Sequence, residues 1–405
     1  MKHIFIIIFI LITSNTISQE NKSIIIDKMK YDVTYLASDK LRGRKTGTCG
    51  EKKAAQYIAE KFKQNKLSEK GEDGYFQSFN AIIQSNPHKT GKGKKIDVIN
   101  VVGFCDNQKE ETIIIGAHYD HLGRGGHGSL YAGKKKIHNG ADDNASGVSI
   151  LINLIDLLCE NNLYNYLFIA FSGEELGLLG SSYFAKNPTI DLQKVRFMLN
   201  FDMVGRLNTK RELALNGVGT SNQWGELINK ANTYNFKLIT SESGIGPSDH
   251  TSFYLQEIPV LHFFTGQHED YHKPTDDVEK INFNGMHSIM SYVKDIITKS
   301  ATIENFTYQE TINDTQQTPK FNVTLGIMPD YLYNDHGLRI DGVTKGKTAD
   351  KHGILKGDIV IQIGDIEVTD IMKYMEGLSN FQKGDSTIIK IKRENETITI
   401  PITFK

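Results

Sequence analysis

Two adjacent glutamates, Glu174 and Glu175, stand in the stretch "FSGEELGLLGS", just after the apolar run Tyr166 to Ala170. That run reads as a buried strand, and Gly173 turns the chain at its end. Like charges there repel each other and lose hydration, so a cation or a proton must neutralise them. Taken alone, the pair also suits the first turn of a helix, where acidic residues complement the macrodipole. Its company decides between the two readings. His118 and Asp120 follow "TIIIGA", Asp142 and Asp143 lie in "NGADDNASG", Asp202 ends "VRFMLNF", and His272 lies in "YHKPTDD" after "VLHFF". Imidazole with several carboxylates and no thiolate suits a divalent ion of the zinc kind, and this many carboxylates permits two. Two ions about 3.5 to 4 Å apart need a shared carboxylate, which a short aspartate in a tight glycine-bounded loop can supply. A lone histidine at a strand end is ordinarily a structural residue; five such pieces in one order predict one site. His121, His127 and His138 lie in the glycine- and lysine-rich stretch between His118 and Asp143 and read as loop residues, with extra ligands or a contact to substrate as the alternatives.

These residues need elements that bring distant stretches together. The runs "DVINVVGF", "TIIIGAHYD", "YLFIAFS", "VRFMLNFD" and "IPVLHFF" read as strands, and helical patterns separate them. From Ile24 to about Leu67 the pattern is helical, with Ala54, Ala55, Ile58, Ala59 and Phe62 on one face. Further helices are expected from Ser146, through "NQWGELINKANTYN", and from Gly285 to about Lys299. Strands buried on both faces and alternating with helices predict an α/β layered domain with a mostly parallel central sheet, and in such sheets the carboxyl ends of the strands converge on one crevice. The basic segment Pro87 to Lys95 reads as a solvated hairpin tip. Residues 301–320 are polar and aperiodic and read as a linker. Residues 321–405 form short β-rich runs broken by glycines, with one short helix near Ile371 to Leu378, and read as a small second domain.

The 405 residues favour two domains, and 39% hydrophobic with 23% charged residues is ordinary for a globular chain. A formal net charge of -1 gives no reason to expect nucleic acid or an anionic membrane as partner. Residues 1–18 combine a basic start, an apolar core too short to span a bilayer and small polar residues, the layout of a secretory signal peptide. The mature chain is expected to begin near Gln19, to be secreted or periplasmic and to lack a membrane span; an uncleaved signal anchor is the alternative. Three cysteines, Cys49, Cys105 and Cys159, are too few for a disulfide framework and allow at most one bridge. Cys159, on the apolar face of a helix, reads as a small core residue.

The set "GAHYDH", "GADDNASG", "FSGEELGLLGS", "NFDMVGR" and "YHKPTDD" resembles the co-catalytic zinc exopeptidases related to bacterial leucyl aminopeptidase and glutamate carboxypeptidase II, over roughly residues 31 to 299. The resemblance implies a three-layer α/β/α exopeptidase domain at 19–300 that binds two Zn2+ ions. Carried over, His118 and Asp202 hold one zinc, Glu175 and His272 the other, and Asp143 bridges them, with a cis peptide bond joining it to Asn144. Glu174 is then the general base, and Asp120 orients His118. In "GPSDHTSF", Asp249 and His250 resemble a stretch bordering the substrate pocket. The implied reaction is peptide-bond hydrolysis, with an aminopeptidase as the simplest case. A carboxypeptidase would need a basic clamp, for which Arg206 is the candidate, and a glutaminyl cyclase would use a single zinc. A catalytically silent peptide-binding protein is the reading of another class.

The strings "LGI" and "GLRIDGVTKGKTADKHGILKGDIVIQIGDIEV" resemble a PDZ domain of the bacterial protease-associated kind. That implies a loop at Leu325, Gly326 and Ile327 whose backbone N–H groups bind a peptide's terminal carboxylate, with the peptide added to a sheet edge. The alternative is a module that only packs or pairs protomers.

Overall fold

The computed structural model describes residues 21–83, 93–126, 128–311 and 323–404, the last without 331–332, 334, 345 and 395. The expected signal peptide at 1–18, His127, most of the basic loop and the segment 312–322 lie outside the described residues.

The chain opens with α1 (21–36) and α2 (Cys49–Gln64), then β1 (Ser68–Glu69), β2 (Phe76–Ile83), β3 (Lys94–Cys105) and β4 (Thr112–His118). It continues through α3 (Gly147–Cys159), β5 (Asn165–Phe171), α4 (Leu179–Lys186), β6 (Val195–Phe201), β7 (Glu212–Asn216) and α5 (Trp224–Ala231). The last elements of this part are β8 (Lys237–Ser241), α6 (His250–Tyr254), β9 (Val260–Phe264) and α7 (Phe283–Ser300). They build a nine-stranded sheet of order β1-β3-β5-β4-β6-β9-β7-β8, with β2 paired to β3. The central strands β5, β4, β6 and β9 run parallel, while β3 and β7 join them antiparallel.

Alternation along these strands feeds two apolar layers. Ile113, Ile115 and Ala117 of β4 and Tyr166, Phe168 and Ala170 of β5 face the core shared with α1, α2, α3, α5 and α7. Ile114, Leu167, Ile169 and Phe171 face the other way, against Phe184 of α4 and Phe253 of α6. This is the three-layer α/β/α arrangement, and the strands are apolar throughout because both faces are covered. The helix face of Ala54, Ala55, Ile58, Ala59 and Phe62 is buried as expected.

The structure departs from the sequence reading in three places. The helical pattern from Ile24 to Leu67 is broken at 37–48, which holds turns and the 3-10 segment Asp39–Leu41. Cys159 is paired with Cys105 in a disulfide, because the ends of α3 and β3 meet with Cα atoms 6.0 Å apart. The segment read as a linker is, over residues 301–311, a strap packed on the α/β part. Phe306 lies 4.6 Å from the ring of Trp224 and 4.9 Å from that of Phe197, and Thr311 bonds to Tyr254.

The C-terminal region carries β10 (Ile327–Pro329), β11 (Leu338–Val343), α8 (Thr348–Lys351), β12 (Ile359–Ile363), β13 (Ile366–Glu367), α9 (Ile371–Ser379), β14 (Ser386–Arg393) and β15 (Glu396–Thr403). Its separate six-stranded sheet has the order β10-β11-β12-β14-β15, with β13 on β12, and every pairing is antiparallel. A core of Leu338, Ile340, Val360, Ile363, Leu378, Ile389 and Ile391 lies beneath it.

Candidate metal centre

His118 is the last residue of β4, the 3-10 turn Glu174–Leu176 follows β5, and Asp202 follows β6. Parallel neighbours in register therefore deliver these three stretches to one edge. Asp143 arrives from the turn Ala141–Ser146 before α3, with a cis peptide bond to Asn144. The turn is tight because Gly140 has φ +59, and a Cβ there would stand 2.1 Å from the Asp143 carbonyl oxygen. Asp276 holds the turn from outside, accepting hydrogen bonds from the backbone N–H groups of Asp142 (3.0 Å) and Asp143 (3.1 Å), while Asp277 accepts from the Asn139 amide (2.9 Å). Those are the two aspartates of "YHKPTDD", so one motif anchors another. Asp142 takes a structural role, accepting from Gly205 N–H at 2.6 Å.

The Asp143 carboxylate lies between two groups. Its Oδ1 is 3.4 Å from Nε2 of His118, which is also 3.3 Å from Asp202. Its Oδ2 is 3.2 Å from Nε2 of His272, which is also 3.3 Å from Glu175. Nδ1 of His272 lies 2.8 Å from the Gly128 carbonyl, so it must donate there, and Nε2 is left to face the acids. Nδ1 of His118 faces Asp120 at 3.7 Å. Asp120 is in turn held by the Thr46 hydroxyl (2.8 Å) and by the backbone N–H of Glu174 (3.1 Å).

Burial pushes the Glu174 carboxyl well above the usual carboxylate range, with the His118 charge only partly offsetting it. Burial also disfavours the charged forms of His118 and Glu175. It is outweighed by Asp202 and Glu174 at His118, whose pKa is raised, and by His272 at Glu175, whose pKa is depressed. These acids thus take their counter-charge from imidazolium groups. A divalent cation is the alternative source, and the donors fit one: His118, Asp143 and Asp202 converge as one set, and His121, Asp143 and Glu175 as another.

A cavity of about 80 Å³ opens over the centre. Asp143, Glu174, Asp202 and His272 line it, together with Met203, Asn216, Pro247, His262, Phe264, Gln267 and Tyr271. Arg206, Asp249 and His250 are not among the lining residues. Arg206 binds Asp270 at 2.7 Å and the Lys280 carbonyl at 3.0 Å. Asp249 and His250 are fully buried; His250 stacks 4.6 Å from His262, and burial raises the Asp249 carboxyl to about 7. In the C-terminal region Leu325 is buried, Gly326 has φ +74, and its N–H donates to the Thr324 hydroxyl at 3.0 Å.

Polar support came from residues that carry no motif. Arg44 is fully buried, and Asn100 accepts from Ser172 N–H at 3.2 Å while donating to the Gly180 carbonyl at 2.9 Å. Glu51 accepts from Gly47 N–H at 2.6 Å and from the Ser172 hydroxyl. Burial, aided by the Asp120 charge, pushes Glu51 up to about 8 from an ordinary 4.5. In the unfolded chain it loses its proton near the ordinary value, so between the two values the native state binds more protons. Its contribution to stability is full below the unfolded value, declines as pH rises and is gone above the folded one. Glu51→Gln should flatten this slope, so that its thermal midpoint overtakes the native protein's on the alkaline side; parallel curves from about pH 5 to about pH 9 would exclude the effect.

An α/β/α protein with convergent imidazole and carboxylate donors at the carboxyl ends of its parallel strands belongs to the class built around divalent ions. Residues 100–297 match the model of peptidase family M28, and residues 323–404 match that of a PDZ domain. Aminopeptidase YwaD of Bacillus subtilis is 32% identical over 197 residues, 45% of this chain and 40% of that protein. A probable leucine aminopeptidase of Arthroderma benhamiae is 28% identical over 231 residues, 52% and 59% of the two chains. The chain thus spans about half the length of the curated relatives it matches. Among solved structures, a zinc aminopeptidase from Bacillus subtilis superposes with a TM-score of 0.55 at 20% identity, covering 68% of this chain and 95% of that one. A glutaminyl cyclase from Porphyromonas gingivalis gives 0.54 at 16% identity, covering 68% and 98%. At those identities the likeness is one of fold.

Among the described residues no helix is long and apolar enough to cross a membrane.

Proposed function

We propose that this chain is an exported two-zinc exopeptidase that releases residues from free N-termini, with residues 321–405 recruiting peptide C-termini. The observation that carries the reading is the Asp143 carboxylate, with one oxygen toward His118 and Asp202 and the other toward His272 and Glu175. Bound there, paired zinc ions would polarise the scissile carbonyl and acidify the attacking water. Glu174, on the cavity wall, takes the proton from that water and returns it to the leaving amine. Asp120 keeps the His118 ring oriented and fixes the Glu174 backbone. Met203 and Phe264 supply apolar surface for the first side chain, and Asn216, His262 and Gln267 supply polar edges.

An aminopeptidase is favoured over a carboxypeptidase because Arg206, the one clamp the sequence offered, is held by Asp270. The aminopeptidase relatives support the same choice. Export is supported by the leader-like residues 1–18 and by the Cys105–Cys159 pair. Recruitment of C-termini is supported by β10, which ends the strand order of its sheet and leaves an edge to extend.

The test is mass spectrometry of a peptide mixture, with free or acetylated N-termini, incubated with the zinc-loaded mature protein. Stepwise loss from free N-termini alone is expected. Loss from C-termini irrespective of acetylation would make it a carboxypeptidase, and intact peptides throughout would leave only the binding role.

A further inference from the structure

We propose that His121 is a further ligand of the ion shared by Asp143, Glu175 and His272, an inference that rests on the two-ion reading above. Nothing in the sequence singles it out from the other histidines of its loop. The structure does: its side chain is fully buried, with Nδ1 2.8 Å from Glu175 Oε1 and 3.7 Å from Asp143 Oδ2.

At that separation His121 and Glu175 form an ion-pair contact, yet among the described residues neither ring nitrogen of His121, nor Glu175 Oε1, has a partner in good hydrogen-bond geometry. A buried imidazole with both nitrogens unpaired is uncommon, because each unmade bond carries its full desolvation cost. Converging imidazole and carboxylate donor atoms are what a divalent cation needs, and His121, Asp143 and Glu175 present one such set. The backbone makes room for the ring: a Cβ at Gly140 would come within 2.6 Å of His121 Cδ2. The segment from His118 to His121 then serves both ions, His118 on one side and His121 on the other, with Asp120 between them orienting the first.

Asymmetry follows. One ion has His118, Asp143 and Asp202 as protein donors; the other has Asp143, Glu175, His272 and His121. The first zinc added to stripped protein should occupy the richer set.

Zinc alone is titrated into stripped native protein, His121→Ala and His121→Gln against a chromophoric chelator. The fully loaded native protein is also examined by zinc-edge X-ray absorption, which needs no variant to fold. Expected are two ions in the native protein, an affinity for the tighter one lowered at least about tenfold in both variants, and a weaker one within about twofold. The absorption should require three imidazoles over two ions. Both affinities unchanged in the variants, with two imidazoles sufficient in the native spectrum, would overturn the assignment of His121 alone. Native protein that holds fewer than two ions would instead sink the two-ion reading, and the assignment with it.

Discussion

Glu174→Gln should leave the zinc content of the protein near normal and cut turnover of a free-N-terminus peptide by about 10² to 10⁴-fold. The two halves of that expectation have different origins. Glu174 is not part of either convergent donor set, so an amide of the same shape leaves those donors in place. Its backbone stays where it is, because the N–H bond to Asp120 and the turn closed by Gly177 N–H on the Glu174 carbonyl (2.8 Å) do not involve the side chain. The carboxyl itself lines the cavity in surroundings that favour its protonated form, as suits a group that receives a proton and gives it up within one turnover. An amide can do neither. Zinc is counted by atomic absorption and turnover by release of the first residue; activity within a few-fold of native would remove Glu174 from the proton-carrying role.

Much of this was legible in the sequence because it depends on local pattern. Strand period and apolar content located β4, β5, β6 and β9, and acids or histidines placed directly after those strands were bound to share an edge once the strands ran parallel. Loop motifs with glycine on both sides marked the turn at Asp143. What stayed hidden depends on partners far along the chain. Arg44 stands in "LRGRKTGT", a polar stretch with nothing to show that the fold closes over it, and Asn100 in "DVINVV" looks like a polar interruption of a strand rather than the pin for the elbow after β5. Polarity disguised the strap at 301–311, since Ile303, Phe306 and Tyr308 are scattered through it without a period, yet they pack on the α/β core. The bridge between Cys105 and Cys159 could not be assigned from spacing, because their meeting follows from where β3 and α3 both end. The burial of His121 beside Glu175 was hidden for a further reason: a histidine's surroundings depend on where the fold sends its ring, and a loop sequence does not state that.

Arg44→Met should be the most damaging single change outside the donor residues, lowering unfolding stability by about 3 to 5 kcal/mol, the scale of leaving several buried acceptors unsatisfied. The guanidinium spends all its contacts on backbone carbonyls: Leu36 at 2.5 Å, Asn139 at 2.6 Å, Tyr119 at 2.8 Å and Gly140 at 2.9 Å. Those four belong to the end of α1, the exit from β4 and the entry to the Asp143 turn, so one side chain ties together the stretches that carry His118 and Asp143. Burial lowers its pKa to about 10, opposed by the charges of Asp143, Asp120, Asp276 and Glu175, and the group remains a cation at neutral pH. Methionine fills similar volume but offers no donor and no charge, which strands four buried acceptors and removes a counter-charge from the acidic centre. Lysine should restore little, because one ammonium on a flexible stem cannot span carbonyls that a planar fork reaches in several directions. Urea unfolding of the zinc-loaded and stripped proteins checks this, and the deficit should be larger without zinc, when Arg44 is a greater share of the positive charge facing those acids. A loss under about 1 kcal/mol in both states would mean that the carbonyls find other partners and that Arg44 is not what joins the strand exit to the turn.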